Sequence, residues 1–232
     1  YGYGDRHRIS FMYLIWTHIG ALTLLIGVLI AGYYSQSFDI AMVKEAAIPE
    51  WLRIPTLLLF TVGLLIKLAS FGVHIWLPYA HAEAPTPVSA LLSPNLIGIA
   101  GYFMARIYLS SFTGSFRYIA PALQLLAILT MVYGGFMALT QKDYKRLLAY
   151  SSISQMGYLL LGIAAFNPLS ISGAILHYMT HALGKAILFM TAGMIIYVLH
   201  GLRDITKMGG LGAKMPITMA AALLGFMHIT GI

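Results

Sequence analysis

Long apolar runs, separated by short polar or Gly/Pro-rich segments, dominate the pattern of residues along this chain. Barrel strands would alternate polar and apolar positions in segments of about ten residues, whereas a membrane-spanning helix needs about 20 continuous apolar residues. The continuous runs therefore predict an all-α integral membrane protein, a polytopic helix bundle forming a single transmembrane domain over residues 1–232. We place the spans at about Ser10 to Tyr34, Ile54 to Leu77, Val88 to Leu109, Ile119 to Leu139, Leu147 to Phe166 and Leu169 to Leu199, with a truncated span at Pro216 to Ile232.

The composition excludes several classes of function. Hydrophobic residues make up 59% of the chain and charged residues only 9%, against roughly 25% charged residues in an average soluble domain. The net charge of +7 comes from basic residues in short loops, so lipid headgroups or membrane topology explain it better than nucleic acid does. The chain has no cysteine, which excludes iron–sulfur ligation and thiolate chemistry within it. We therefore expect no redox chemistry, cofactor or metal in this chain.

Lysine and arginine residues are divided unevenly between the two sides of the predicted bundle. Three segments on one side hold eight of them: the N-terminal tail, the loop from Thr140 to Arg146 and the loop from Gly201 to Lys214. The loops on the other side hold four. Because basic residues favour the cytoplasmic side, we expect these three segments in the cytoplasm and the protein as a multi-pass component of the cell membrane.

The stretch from Leu64 to Ser93 combines an intramembrane charge with an interrupted helix. Lys67 is the fourteenth residue of the 24-residue run from Ile54 to Leu77, near the middle of a segment long enough to cross a bilayer. Helix-breaking residues follow at Gly72, Pro78, Pro85 and Pro87. They predict a discontinuous helix, and a charge beside such a break is typical of an ion pathway. The alternative is a lysine whose amine extends to the membrane surface.

His177, His181 and Lys185 recur every four residues in the sixth span. Steps of about 400° keep the three side chains within about 80° of arc, on one face of a helix. Such a ladder can pass a proton in short hops through water, because histidine gains and loses a proton near neutral pH. Two alternatives remain open: the histidines bond to neighbouring helices while Lys185 extends to the surface, or the histidines bind a metal.

Three further residues are candidates for the same pathway. His74 follows Lys67 by seven residues and would share its face if the helix stayed regular. Glu83 is either a carboxylate at the start of the next helix or part of the pathway. Lys145 is by default a headgroup anchor, although the serines after it are polar enough to line a wet cavity. We expect His81 to face water or the helix break.

Four motifs, in this order and spacing, resemble one family of membrane proteins: WLPYAHAEAPTPVSALLS, DYKRLLAYSSISQMGY, HYMTHALGKAILF and DITKMGGLGAKMP. The family consists of the antiporter-like subunits shared by respiratory complex I, Mrp-type cation/proton antiporters and energy-converting membrane-bound hydrogenases. The resemblance implies an inverted-repeat fold with one broken helix in each five-helix repeat, and a subunit that conducts protons or sodium ions. The present chain would be a fragment that starts at the family's sixth helix and stops just before its second broken helix.

The resemblance also assigns roles to particular residues. Lys67 corresponds to the lysine of the first broken helix, and His177, His181 and Lys185 correspond to a central polar axis that joins two half-channels. Lys145 corresponds to a basic residue at the start of the next helix. The acid that pairs with Lys67 and the charged residue that ends the second half-channel would lie outside these residues.

The chain departs from the family's pattern at three positions. Tyr79 replaces an aspartate that often follows WLP in complex I members, and Ser93 and Gly98 stand where relatives carry a histidine or a lysine. The middle relay of the first half-channel is therefore missing. Either water fills that gap, or this copy does not conduct along a complete path.

Three functions are compatible with these patterns. The first is an ion-translocating subunit of a redox-driven membrane complex, of the complex I or membrane-bound hydrogenase type. The second is a subunit of an Mrp-type sodium/proton antiporter, and the third is a membrane scaffold that does not conduct. In the first case the partners would be other membrane subunits of a respiratory-type complex, the lipid bilayer, and protons or sodium ions.

Overall fold

The computed structural model describes residues 2 and 4–231 of the chain, and this part is helical, with no β-strand. Six of its segments are long and apolar enough to cross a membrane, which confirms the prediction of an all-α, multi-pass membrane protein. The helices are α1 (Arg6–Ser35), α2 (Glu50–Leu68), α3 (Trp76–Glu83), α4 (Thr86–Leu91), α5 (Gly98–Ser110), α6 (Thr113–Leu139), α7 (Tyr144–Ala164), α8 (Pro168–Val198), α9 (Leu211–Lys214) and α10 (Pro216–Thr230).

Helices that follow one another along the chain mostly pack side by side. Helix α1 packs on α2, α6 on α7, and α8 lies between α7 and α10. The buried core lies where α2, α3, α5, α6 and α7 meet, and its largest side chains include Trp76, Tyr108, Phe112 and Phe116. The outer faces of α1, α6 and α8 expose leucine, isoleucine and methionine side chains, as expected for helices in contact with lipid tails.

Helices α6 and α7 approach each other closely because glycines lie between them. A Cβ atom on Gly134 would come within 2.5 Å of the Ser154 backbone nitrogen, and one on Gly157 within 2.7 Å of the Met131 backbone nitrogen. Small residues at such positions let two membrane helices pack backbone against backbone. Helix α7 is thereby fixed as the central element against which α3, α5 and α8 also pack.

The predicted discontinuous helix is confirmed, but helix α2 ends at Leu68, earlier than the predicted span from Ile54 to Leu77. Ala69 takes a left-handed conformation with φ of 57°, and Gly72 one with φ of 90°. The chain becomes helical again only at Trp76. Side chains pair with backbone groups in this break, since the Trp76 indole donates to the Ile66 carbonyl at 3.0 Å and the Phe71 amide donates to the Thr130 hydroxyl at 3.0 Å.

The predicted span from Val88 to Leu109 is also interrupted. A π-helical turn at Leu92–Leu96 separates α4 from α5. Pro94 lies inside this turn and has no amide hydrogen to donate to the preceding helical turn, which favours a widened helix at this point. By contrast, α8 runs unbroken for 31 residues. At 1.5 Å per residue such a helix is about 46 Å long, which exceeds the thickness of a hydrocarbon layer of about 30 Å.

The loops divide into two groups that agree with the predicted sides of the membrane. On one side, two backbone hydrogen bonds join the loop before α7 to the loop after α8: the Tyr144 amide donates to the Arg203 carbonyl and the Ile205 amide to the Lys142 carbonyl, both at 2.9 Å. Gly4 of the N-terminal tail lies against Glu83 on the same side. The three segments rich in basic residues therefore lie together. On the opposite side, the loop after α1 contacts the α5–α6 connection.

Candidate functional site

Lys185 is enclosed at the interface between α8 and α7. Its side chain is fully buried, and its amine donates to the Leu148 carbonyl at 2.8 Å and to the Ser151 hydroxyl. The three ion pairs within residues 2 and 4–231 do not include it. The alternative in which Lys185 extends to the membrane surface is therefore wrong. This amine is held by neutral oxygen atoms deep in the bundle.

His177 and His181 precede Lys185 on the same unbroken helix, as their spacing predicts. His181 is fully buried, and neither of its ring nitrogens has a hydrogen-bond partner among the described residues. His177 is half-buried, with Nε2 3.3 Å from the Gln155 carbonyl, and the two imidazole rings are 6.3 Å apart. No group of three or more His, Asp or Glu side chains placed to hold a metal occurs in the described part of the chain.

Lys67 lies beside an apolar cavity. It belongs to the last turn of α2, one residue before the helix ends, and not near the middle of the run from Ile54 to Leu77 as predicted. The cavity, of about 420 Å³, lies between α1, α2 and α5 and is lined by Leu24, Phe60, Ile99 and Phe103 as well as by Lys67. None of the three ion pairs of the described residues involves Lys67. A cation is thus placed at the end of a helix against a largely apolar groove.

His74 does not share a helix face with Lys67. It lies in the irregular segment between α2 and α3, so the periodicity that predicted a common face does not extend to it. Its ring is 6% exposed and packs against Tyr133 at 4.7 Å and Phe71 at 6.0 Å. His74 is therefore part of an aromatic cluster between the helix break and α6.

Lys145 is not a headgroup anchor. It is only 2% exposed, and its amine donates to the carbonyl of Ala84, the residue that follows α3. Glu83 ends α3 and does not start the next helix, so the helix-start interpretation is wrong. Arg203 lies between these elements, with Nε 2.9 Å from Asp143 Oδ2 and Nη2 3.9 Å from Glu83 Oε1. We call Glu83, Asp143 and Arg203 the Arg203 cluster.

A second cavity adjoins the Arg203 cluster. Its volume is about 250 Å³, and it lies between α1, α3 and α4. Arg6, Ser10, Tyr13 and Glu83 supply its polar lining, and Leu92 of the π-helical turn lies on its wall. Polar side chains thus reach from the loop side of the bundle toward the interrupted helix.

The prediction that His81 faces water or the helix break is wrong. The side chain is fully buried, and its ring stacks on Phe189 of α8 at 4.6 Å. No local signal could have found this position, because the irregular segment before α3 resets the rotation of the helix and so decides which face is turned inward.

Ser93, one of the two residues that stand where relatives carry a histidine or a lysine, is hydrogen-bonded to α7. Its hydroxyl is 2.9 Å from the Ser152 hydroxyl, and both residues are fully buried. Ser152 also donates to the Leu148 carbonyl at 3.0 Å, the same acceptor that Lys185 uses. The π-helical turn is therefore connected to Lys185 by hydrogen bonds through α7.

Sequence comparison matches residues 3–232 to the family described as NADH:quinone oxidoreductase/Mrp antiporter, TM. NAD(P)H-quinone oxidoreductase chain 4-2 of Synechocystis sp. is 38% identical over 231 residues, which cover 98% of this chain and 41% of that protein. F(420)H(2) dehydrogenase subunit M of Methanosarcina mazei is 37% identical over 243 residues, covering 100% of this chain and 48% of that protein. The chain thus spans less than half the length of these curated relatives.

Solved structures show the same arrangement of helices. A chain of the Mrp complex from Dietzia sp. DQ12-45-1b superposes with a TM-score of 0.88 at 30% identity, over 97% of this chain and 42% of that one. A chain of the membrane-bound sulfane sulfur reductase, an archaeal respiratory membrane complex, gives a TM-score of 0.89 at 28% identity, over 99% of this chain and 48% of that one. Sequence match and fold agree, and this chain belongs to the NADH:quinone oxidoreductase/Mrp antiporter transmembrane family.

Proposed function

We propose that this chain is part of an antiporter-like subunit that translocates protons or sodium ions in a redox-driven complex of the cell membrane. The observation that carries the proposal is Lys185, an amine fully buried in the middle of a long membrane helix without a carboxylate within 4 Å in the described part of the chain. An ionisable group at such a depth is expensive to maintain and is usually functional.

The polar groups around Lys185 support a stepwise path along α8. Residues four apart on a helix are separated by about 6 Å along its axis, so His177, His181 and Lys185 form a file of ionisable groups. The unpartnered nitrogens of His181 are sites that water can bond. Protons can move along such a file when each group gives up a proton as its neighbour gains one, since neighbouring positive charges repel.

Lys67 is the second group to which we assign a role. Lys67 lies at the end of α2, next to the irregular segment that follows the helix. A change in the charge of its amine can therefore act on backbone that is not held in a regular helix. The resemblance implies that the acidic partner of Lys67 lies outside these residues. We assign His74, Glu83 and Lys145 to the surroundings of this pathway, His74 through its aromatic cluster and the other two through the loop side of α3 and α7.

The relatives favour a redox-driven complex. Two of them are named as subunits of an NAD(P)H-quinone oxidoreductase and an F420H2 dehydrogenase, and a third belongs to a complex described as respiratory. We propose that the partners of this chain are the other membrane subunits of such a complex and the surrounding lipid. The similarity to the Mrp complex supports the second candidate, an antiporter subunit without a redox partner.

The test replaces each intramembrane lysine in the full-length subunit within its native complex. We expect Lys67→Ala and Lys185→Ala to leave the complex assembled and to reduce ion translocation into vesicles greatly, because each removes a charge that the pathway needs. Lys44→Ala, at an exposed loop lysine, is the matched control and should translocate as wild type does. Full translocation by the Lys67 or Lys185 variant would disprove the role given to that lysine.

Two further measurements separate the candidate functions. Purification with iron–sulfur or nickel–iron subunits supports the redox-driven complex, and purification without them supports the antiporter. Absence of both proton and sodium flux in vesicles that contain the intact complex would leave only a scaffold role.

A further inference from the structure

The side chain of Trp76 bridges the break between α2 and α3. Trp76 is the first residue of α3 and is fully buried, and its indole N–H donates to the Ile66 carbonyl at 3.0 Å. The indole nitrogen can only donate, so a buried tryptophan needs an acceptor. Here the acceptor lies ten residues earlier, in the last turn of α2. One side chain therefore joins the two helices that the irregular segment separates.

The indole is an additional donor at the end of α2. The last four carbonyl groups of a helix have no amide partner within it, and inside a membrane the protein itself must supply their partners. The Leu65 carbonyl accepts the Ser70 amide at 3.1 Å, and the Ile66 carbonyl accepts the Ala69 amide at 3.2 Å. Without the indole of Trp76, the Ile66 carbonyl would keep its amide partner. Loss of the indole N–H thus removes a contact between two helices and leaves this buried carbonyl paired.

Helix α1 packs against both ends of this contact. A Cβ atom on Gly20 would lie 3.2 Å from the Cγ2 atom of Ile66, so α1 lies directly against the last turn of α2. About two turns earlier on α1, the Tyr13 ring meets the Trp76 ring edge-on, with 5.4 Å between the ring centroids. The last turn of α2 and the first turn of α3 are therefore both held against α1.

Lys67 is the residue whose direction depends on this contact. It follows Ile66, and successive residues of a helix point about 100° apart. Ile66 is buried against α1, while Lys67 lines the cavity between α1, α2 and α5. Because α2 ends one residue after Lys67, the position of the amine depends on how firmly the last turn is held.

We propose that Trp76 is a positioning residue for ion translocation: its hydrogen bond to Ile66 holds the last turn of α2 and so fixes where Lys67 places its charge. The inference rests on the role proposed for Lys67 and adds to it a residue that is itself uncharged. Without the indole N–H, the last turn can unwind at the break, where Ala69 already has a left-handed conformation. Displacement of a reacting group by about 1 Å can lower a rate about a hundredfold, so a loosely held Lys67 slows translocation.

The experiment removes the indole N–H and keeps an aromatic ring. One variant is Trp76→Phe, and a second carries 3-benzothienylalanine at position 76, which has the shape of tryptophan with sulfur in place of the N–H group. In the native complex, we expect each to assemble and to translocate ions at least about fivefold more slowly per assembled complex, the factor that one hydrogen bond is worth. Trp51→Phe is the matched control, because Trp51 is 74% exposed in the first turn of α2, and it should translocate as wild type does.

The pH dependence of translocation separates positioning from packing. Lys67 is the one ionisable side chain on the wall of its cavity within the described part of the chain. Because Trp76 acts through this lysine, both Trp76 variants should shift the pH at which translocation is half-maximal. A loss of packing alone would lower the rate by the same factor at every pH. Trp51→Phe should leave the profile unchanged.

Several results would overturn the proposal. Wild-type translocation by the benzothienylalanine variant would show that the indole N–H has no role, and loss in Trp76→Phe alone would identify ring packing only. A lower rate with an unchanged pH profile, or failure of both variants to assemble, would assign Trp76 to folding. If Lys67→Ala abolishes translocation while both Trp76 variants retain it, the inference fails and the role of Lys67 stands. Full translocation by Lys67→Ala would instead contradict the role proposed for that lysine.

Discussion

Ser93 and Ser152 share a buried hydrogen bond of 2.9 Å that connects the π-helical turn to α7. Ser152 lies within 3.0 Å of the Leu148 carbonyl, which also accepts hydrogen bonds from Ser151 and Lys185. A serine hydroxyl has one proton, so Ser93 is the donor whenever Ser152 donates to Leu148. The serine pair bridges the place where the family resemblance implies a histidine or a lysine.

The serine pair should be energetically coupled. Ser93→Ala and Ser152→Ala each remove the shared hydrogen bond. The double variant should therefore lose about 1 kcal/mol less free energy of unfolding than the two single variants lose in total. The measurement is a double-mutant cycle on the thermal midpoint of the detergent-purified protein. Strict additivity would show that the two hydroxyls do not interact.

The Arg203 cluster should stabilise the loop side of the bundle. Arg203→Ala removes the contact to Asp143 at 2.9 Å and should lower the free energy of unfolding by about 1 kcal/mol, with a smaller effect at high salt. Lys207→Ala is the matched control, because its ion pair with Asp204 has an N–O distance of 4.0 Å and the lysine side chain is 70% exposed. It should change stability by less than about 0.5 kcal/mol. Equal effects of the two substitutions would contradict a specific role for Arg203.

Glu45 should give the protein a pH-dependent contribution to stability. Its carboxylate accepts the backbone amides of Gly114 at 2.6 Å and Ser115 at 2.9 Å, in the first turn of α6. Partial burial raises the pKa of Glu45, but the hydrogen bonds from Ser115 and Gly114 and the charge of Arg53 outweigh it and hold the pKa below the ordinary value of 4.5. The stabilisation is therefore complete above about pH 4.5 and is lost as the pH falls through the lowered pKa.

Glu45→Gln should accordingly lower the thermal midpoint at pH 7, by an amount equivalent to about 1 kcal/mol, and the difference from wild type should shrink in acid. Glu50→Gln is the control, since Glu50 is exposed and makes no capping hydrogen bond to α2. A difference between Glu45→Gln and wild type that stays constant from pH 7 to pH 3 would refute the assignment.

The close contact between α6 and α7 should tolerate no added carbon atom. Gly134→Ala places a Cβ 2.5 Å from the Ser154 backbone nitrogen, so the helices must separate, at a cost of about 1–3 kcal/mol. Gly173→Ala is the matched control on exposed helix, where nothing lies within 4 Å of the added carbon, and it should be neutral or stabilising by up to about 1 kcal/mol. A thermal midpoint for Gly134→Ala at or above that of Gly173→Ala would show that the contact is not tight.

Much of the site could not have been predicted residue by residue. The burial of Lys145 depends on Ala84, 61 residues earlier, and the connection of Ser93 to Lys185 depends on α7 lying between them. The sequence does show Ser93 and His81, but it cannot show which neighbours they meet. Hydrogen bonds between distant segments are decided by helix packing, and that packing depends on glycines such as Gly134.

The sequence by itself determined the helical class, the number of long spans and the alignment of His177, His181 and Lys185, because continuous apolar length and helical periodicity are local properties. Only the tertiary structure decided where α2 ends and which way α3 faces. Once the irregular segment from Ala69 to Ile75 frees the backbone from helical geometry, residue spacing no longer fixes direction. Packing against α8 then turned His81 inward, where its ring stacks on Phe189.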